Sequence, residues 1–243
     1  MSRNFELLER LNDERCGAAS DYQAEPDLRT PGALRPNPET RIFAGLNKLV
    51  QRLFLSGPTP SRQLVFTGTG PGVGCTSVSV HTTEVLCSQT TGSVCLVDTN
   101  MNSSGFREYF NLPDGAGFTD ALAQDGPVDR FVRRVRRNLW VLTGGNPAKE
   151  LVSFRPRLEA CLLKLRGQFD YVLLDTPPVA TGSGSLTLAT LADGVVLVLK
   201  AGHTRRNVVR MAIAELEAAG VKVLGTVLNQ RDYPIPEVIY KRL

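Results

Sequence analysis

The chain has 243 residues, 42% hydrophobic and 21% charged, with 28 Lys and Arg against 24 Asp and Glu for a net charge of +4. Its length excludes a miniprotein and allows one full-sized α/β domain or two small ones, and 22 Gly with 15 Pro are too few for a fibrous or wholly disordered chain. Apolar runs such as Val195 to Leu199 fall far short of the roughly 20 residues of a membrane-spanning helix, and the mild charge excess gives no reason to expect nucleic acid as a partner.

The first ten residues mix both charge signs and lack the apolar stretch of a secretory signal, so a cytoplasmic location is expected. Five cysteines without a CxxC pair read as free thiols in a reducing compartment. Residues 4–13 carry a short amphipathic helical pattern through Phe5, Leu7, Leu8 and Leu11, and a Gly-, Pro-, Asp- and Arg-rich stretch follows to about Pro38. The expected organisation is a helix and flexible arm over 1–37 and one domain, with its C-terminal tail, over 38–243. From Pro38 to Leu55, Ile42, Phe43, Leu46, Leu49, Val50, Leu53 and Phe54 recur at helical spacing.

Six strands are predicted beyond Arg62: Leu64 to Phe66, Val94 to Val97, Leu139 to Leu142, Tyr171 to Leu174, Val195 to Leu199 and Val223 to Leu228. Several are almost uninterrupted apolar, as parallel strands covered on both faces are. Helical periodicity fills 75–89, 150–167, 185–192 and 205–219. The fold class is therefore α/β, a doubly wound, mostly parallel sheet with helices on both faces. Gly92, Gly167 and Gly220 follow helical segments and are expected to close them in the left-handed conformation. The cluster Arg130, Arg133, Arg134, Arg136 and Arg137 reads first as a solvated face, with an acidic partner tail or anionic lipid as functional alternatives.

Val65 to Ser77 has the shape of a phosphate loop: a strand, a Gly-rich turn and a helix start. Aligned to GxxxxGK[ST], Gly74 is the second glycine, Thr76 the hydroxyl residue, and Cys75 stands where the lysine belongs. Gly70, Gly72 and Gly74 still let backbone amides converge on an anion at a helix N-terminus; an ordinary Gly-rich turn is the plain alternative. Asp98 and Asp175 each end a predicted strand, and in an open parallel sheet ligands bind outside those ends. Thr76, Asp98 and Asp175 are thus candidate ligands of one Mg²⁺ beside the phosphates. Cys75 at a helix start is either a low-pKa, redox-sensitive thiol or, more simply, a small residue tolerated there.

From about Pro38 onward the sequence resembles the cytosolic ATPase domain of bacterial tyrosine kinases, the CpsD/CapB type within the MinD/ParA group of P-loop proteins. Besides the loop, Leu96-Val-Asp-Thr-Asn-Met101 resembles the family's second Walker-type motif, and Phe169-Asp-Tyr-Val-Leu-Leu-Asp-Thr-Pro-Pro178 its Walker B. The resemblance implies ATP or ADP with Mg²⁺ held by Gly70, Gly72, Val73, Gly74, Cys75, Thr76 and Ser77. It also implies Thr76 and Asp175 on the metal, Asp98 near the attacking group and Asn229 near the adenine. It further implies a role in capsular or exopolysaccharide assembly, a membrane-embedded chain-length or export protein as partner, a peripheral position at the inner membrane face, and a homo-oligomer.

Four departures bear on activity. Cys75 replaces the loop lysine, Gly70 occupies the second lysine position of the ParA/MinD group, and no lysine lies between Lys48 and Lys149. Asn100 replaces the second acid of the second Walker-type motif. The C-terminal tail carries Tyr233 and Tyr240 but no tyrosine cluster, and its Ile235, Val238 and Ile239 suit a docked extended segment. In the ring-forming EX2RX2R pattern that would begin at Glu39, Ile42 and Gly45 stand at the arginine positions. The favoured reading is a nucleotide-binding regulator with weak or absent kinase activity, Asp98 and Asp175 remaining as its catalytic carboxylates. An active tyrosine autokinase and a ParA/MinD-like positioning ATPase are the alternatives.

Overall fold

Strands form where short runs of valine and leucine are long enough to cross a sheet and too short for a stable helix. The computed structural model describes residues 38–56, 60–100, 105–124, 127–145, 155–181 and 183–231; the helix and arm expected over 1–37 and the tail from Asp232 lie outside the described residues. The elements are α1 (Pro38–Val50) with a π-helical turn Gln51–Leu55, β1 (Gln63–Gly68), α2 (Cys75–Gln89), β2 (Val94–Asp98), α3 (Gly105–Phe110) and α4 (Phe118–Ala123). They continue as β3 (Arg133–Arg136), β4 (Leu139–Leu142), α5 (Arg155–Gln168), β5 (Tyr171–Asp175), α6 (Ser183–Leu191), β6 (Gly194–Lys200), α7 (Arg206–Ala218) and β7 (Val223–Asn229).

The sheet runs β3-β4-β2-β5-β1-β6-β7. Every neighbouring pair is parallel except the antiparallel β3–β4 edge. Period-two alternation divides the strand side chains between two cores. Leu64, Phe66, Leu96, Leu173 and Val196 pack with Val50 and Phe54 of the first helical segment, Val80 and Leu86 of α2 and Phe106 of α3. Val65, Val97, Val172, Leu174 and Leu197 pack with Leu122 of α4, Leu158 and Leu165 of α5, Leu188 of α6 and Leu216 of α7. Each fully buried Leu or Val contributes about 1.5–3 kcal/mol, and this two-sided burial makes the strands continuously apolar.

The apolar stripe of 38–55 is used in this packing, since Leu46, Val50, Leu53 and Phe54 are buried. Asn47 and Gln51 meet Gln89 at the end of α2 through side-chain amide hydrogen bonds of 2.6 and 2.9 Å. Two expectations change. The Arg-rich stretch contains a seventh strand, β3, as well as exposed arginines. Of the three glycines, Gly220 alone closes its helix with a positive φ, +74°. Gly167 lies inside the last turn of α5, and α2 is closed instead by Thr90 in extended conformation.

Candidate functional site

Parallel pairing fixes the site. β1, β2 and β5 are neighbours running the same way, so their C-terminal ends open on one edge of the sheet. In the β2–β5 register Asp98 stands directly opposite Asp175. The ends are tied by Thr99, whose backbone N–H and hydroxyl both donate to the Asp175 carbonyl at 2.9 and 2.8 Å. Thr176 bonds the Phe66 carbonyl of β1 in the same double manner, at 3.0 and 3.1 Å. The two carboxylates are therefore fixed side by side and buried.

The loop between β1 and α2 rises beside them. Gly72 and Gly74 take positive φ values of +72° and +79°, a conformation that costs a side-chain-bearing residue roughly 1–2 kcal/mol. Val73 turns inward and is buried so close to Gly68 that a Cβ there would lie 2.6 Å from its Cγ2. Gly74 caps α2, a helix of 15 residues, without a side-chain hydrogen bond. The first-turn amides of 75, 76 and 77 therefore have no partner within the helix.

Thr76, in the first turn, donates its hydroxyl to Asp175 Oδ2 at 2.7 Å. The other oxygen, Asp175 Oδ1, is buried and has no hydrogen-bond partner among the described residues. Asp98 Oδ1 accepts the Asn100 backbone N–H at 2.8 Å. Burial and then the Asp175 charge push the Asp98 carboxyl up to about 8, with the Asn100 N–H and Arg107 acting the other way. Burial likewise pushes Asp175 up to about 6, against the Thr76 hydrogen bond. Two adjacent buried carboxyls raised in this way form a site that a cation would stabilise.

The donors at this edge of the sheet fit a divalent ion. An orphaned carboxylate oxygen, a second carboxylate in register and a threonine hydroxyl are hard oxygen donors of the kind Mg²⁺ takes. Among the described residues no cluster of three or more His, Cys, Asp or Glu is placed to hold a metal. Phosphate and water would therefore fill the remaining positions, as is usual for Mg²⁺.

The other predicted residues fall as follows. Cys75 opens α2 beside Asp175; burial, then the Asp175 charge, raise its thiol pKa well above the ordinary value, so it is not the low-pKa thiolate weighed from the sequence. Ser77 turns its hydroxyl toward the His81 ring, 3.3 Å away. Gly70 sits in the loop with nothing near the position of a Cβ. Asn229, at the end of β7, directs its amide to the loop, where Nδ2 donates to the Val73 carbonyl at 2.9 Å.

Two residues went unmarked by motif reading. Arg107 of α3 bears electrostatically on Asp98 while bonded to Asp114 Oδ1 at 2.7 Å and the Gly145 carbonyl at 3.2 Å. Gln230 donates from Nε2 to the Gly72 carbonyl at 3.3 Å.

No protein-family model matches the chain. Over 176 residues, 70% of its length, the chain is 34% identical to EpsB of Ralstonia nicotianae, provisionally named a tyrosine-protein kinase, and spans 23% of that protein. It is 28% identical over 184 residues to the tyrosine-protein kinase YwqD of Bacillus subtilis, an alignment covering 72% of the chain and 75% of YwqD. The kinase domain of VpsO matches with a TM-score of 0.72 at 24% identity, over 80% of this chain and 98% of that one. Cobyrinic acid a,c-diamide synthase of Mycobacterium smegmatis, solved with ADP and magnesium, matches with a TM-score of 0.59 at 20% identity, over 74% and 80% of the two chains. These structural likenesses give the fold, a P-loop ATPase architecture, and the sequence relatives give the kinship. The chain belongs to the bacterial tyrosine-kinase family of the CpsD/CapB type, and it carries a cysteine in place of the phosphate-loop lysine.

Proposed function

We propose that the chain binds a magnesium–adenine nucleotide at this loop and regulates exopolysaccharide or capsule assembly, with little or no phosphoryl transfer of its own. The observation that carries the reading is the Thr76–Asp175 hydrogen bond beside an unpartnered Asp175 oxygen and Asp98, all at the start of α2. The bound ADP and magnesium of the structurally similar synthase support the same ligand class on this fold. Phosphoryl transfer rests on positioning and charge stabilisation. Cys75 supplies no positive charge, and the nearby Arg107 is already engaged by Asp114 and Gly145. The polysaccharide role, a cytoplasmic position at the membrane through an embedded export or chain-length protein, and self-assembly are what the family kinship implies.

Isothermal titration with Mg-ATP and Mg-ADP, paired with a turnover assay, tests the reading. The native protein is expected to bind with little turnover. Cys75→Lys, restoring a charge-assisted contact worth about 1.5–3 kcal/mol, is expected to bind roughly ten- to a hundredfold more tightly. Rapid turnover by the native protein would overturn the regulator, and no binding by either protein would overturn the nucleotide site.

A further inference from the structure

A phosphate loop functions only if its N–H groups face the anion, and this chain fixes them from a strand far away in sequence. In a trans peptide the N–H points opposite to the carbonyl of the same unit. Holding the Gly72 carbonyl toward the end of β7 therefore turns the Val73 N–H away from it, and holding the Val73 carbonyl there does the same for the Gly74 N–H. Both carbonyls are held, by Gln230 Nε2 at 3.3 Å and by Asn229 Nδ2 at 2.9 Å.

The two donors are themselves fixed. The Asn229 backbone is paired with Lys200 in the β6–β7 ladder and its carbonyl accepts the Ala201 N–H at 2.9 Å. Gln230 takes a positive φ of +53°, which swings its side chain back toward the loop. Gly74 leaves the room the clamp needs, since a Cβ at that position would lie 2.4 Å from Asn229 Nδ2 and 3.4 Å from Gln230 Nε2.

We propose that Asn229 and Gln230 form an amide clamp that sets the peptide planes of residues 72–74 for an anion, as positioning residues of a loop that has no lysine. The clamp rests on the nucleotide reading for what the loop receives. Its geometry makes the order of the loop a property of the end of β7. It gives Asn229 a structural task at the phosphates, apart from the adenine contact that the family resemblance implies.

The test uses two neutral, shape-keeping variants of the whole chain, Gln230→Met and Asn229→Leu, with thermal unfolding as a check on folding. Backbone ¹⁵N relaxation of the nucleotide-free protein is expected to show rigid amides at Val73 and Gly74 in the native form, with order parameters near 0.85. They are expected to fall below about 0.6 in the variants, while β1 and β5 are unchanged. Each freed residue must be re-ordered on binding, so Mg-ADP affinity is expected to fall roughly tenfold in each variant. Unchanged order parameters in a folded variant overturn the clamp, as does loosening spread evenly through the sheet. If Asn229→Leu fails to fold, Gln230→Met, at a partly exposed turn, decides the question. Absence of Mg-ADP binding by the native protein, with loop loosening still seen in the variants, overturns the nucleotide reading and leaves the clamp standing.

Discussion

At position 75 a thiol occupies the start of α2, and burial with the neighbouring Asp175 charge keeps it protonated and uncharged. The consequence falls on the carboxyls. With Asp98 raised to about 8 from an ordinary value of 3.8, the folded protein holds a proton that the unfolded chain releases. Stability contributed by this group is therefore greatest at the acidic end of that window and declines as pH rises through it. Asp98→Asn removes the dependence. In urea unfolding of the metal-free protein the variant is expected to match the native near pH 4 and to exceed it near pH 8. The gain is on the order of a few kcal/mol, each pKa unit being worth about 1.4 kcal/mol. Millimolar Mg²⁺ is expected to narrow the gap by stabilising the native form alone, and a gap that widened toward acid would contradict this account.

At the level of elements, the strands that could be read in advance are those whose side chains are buried on both faces. β1 and β2 are buried along their whole length, and both appear in the sequence as apolar runs. β3 could not be read this way, because three of its four residues are arginine and none is fully buried. It is a strand because it pairs with β4, with Arg134 stacked over the Trp140 ring at 5.2 Å and Arg136 bonded to Glu84 at 2.7 Å. Charged, short edge strands of this kind discourage sheet-to-sheet association. The carboxylates and Thr76 were legible because strand ends and a Gly-rich turn mark them locally. The contacts of Asn229 and Gln230 span 156 and 158 residues, and no local pattern announces them.

The turn between β3 and β4 has a similar unannounced task. Asn138 Nδ2 lies within bonding distance of the Cys87, Thr90 and Gly92 carbonyls, at 3.1, 2.9 and 3.4 Å, and so satisfies the C-terminal end of α2. Asn138→Ala leaves these groups without that donor. A loss of about 1–3 kcal/mol in chemical denaturation is expected, with the Thr76–Asp175 end of the same helix unaffected.

Across the whole molecule the sheet is unevenly covered. The strands at its centre are sealed, whereas β7 is partly open along its length and Leu228 keeps 54% of its surface exposed. Amides in sparsely buried elements open at lower free energy than those of the core. Native-state hydrogen exchange is therefore expected to rank β7 well below β1 and β5 in protection. Equal protection across the sheet would show that β7 is covered by something beyond the described residues.

The strand order also has a consequence in time. β1 is the first strand among the described residues, yet its two neighbours, β5 and β6, begin about a hundred residues later or more. At ribosomal rates of roughly 5–20 residues per second, Leu64, Val65 and Phe66 emerge unpaired for about 5–20 seconds before a partner strand exists. The sheet cannot close around its own centre until β5 has been made, so a strand buried along its whole length in the folded protein is also the one that waits longest for its neighbours.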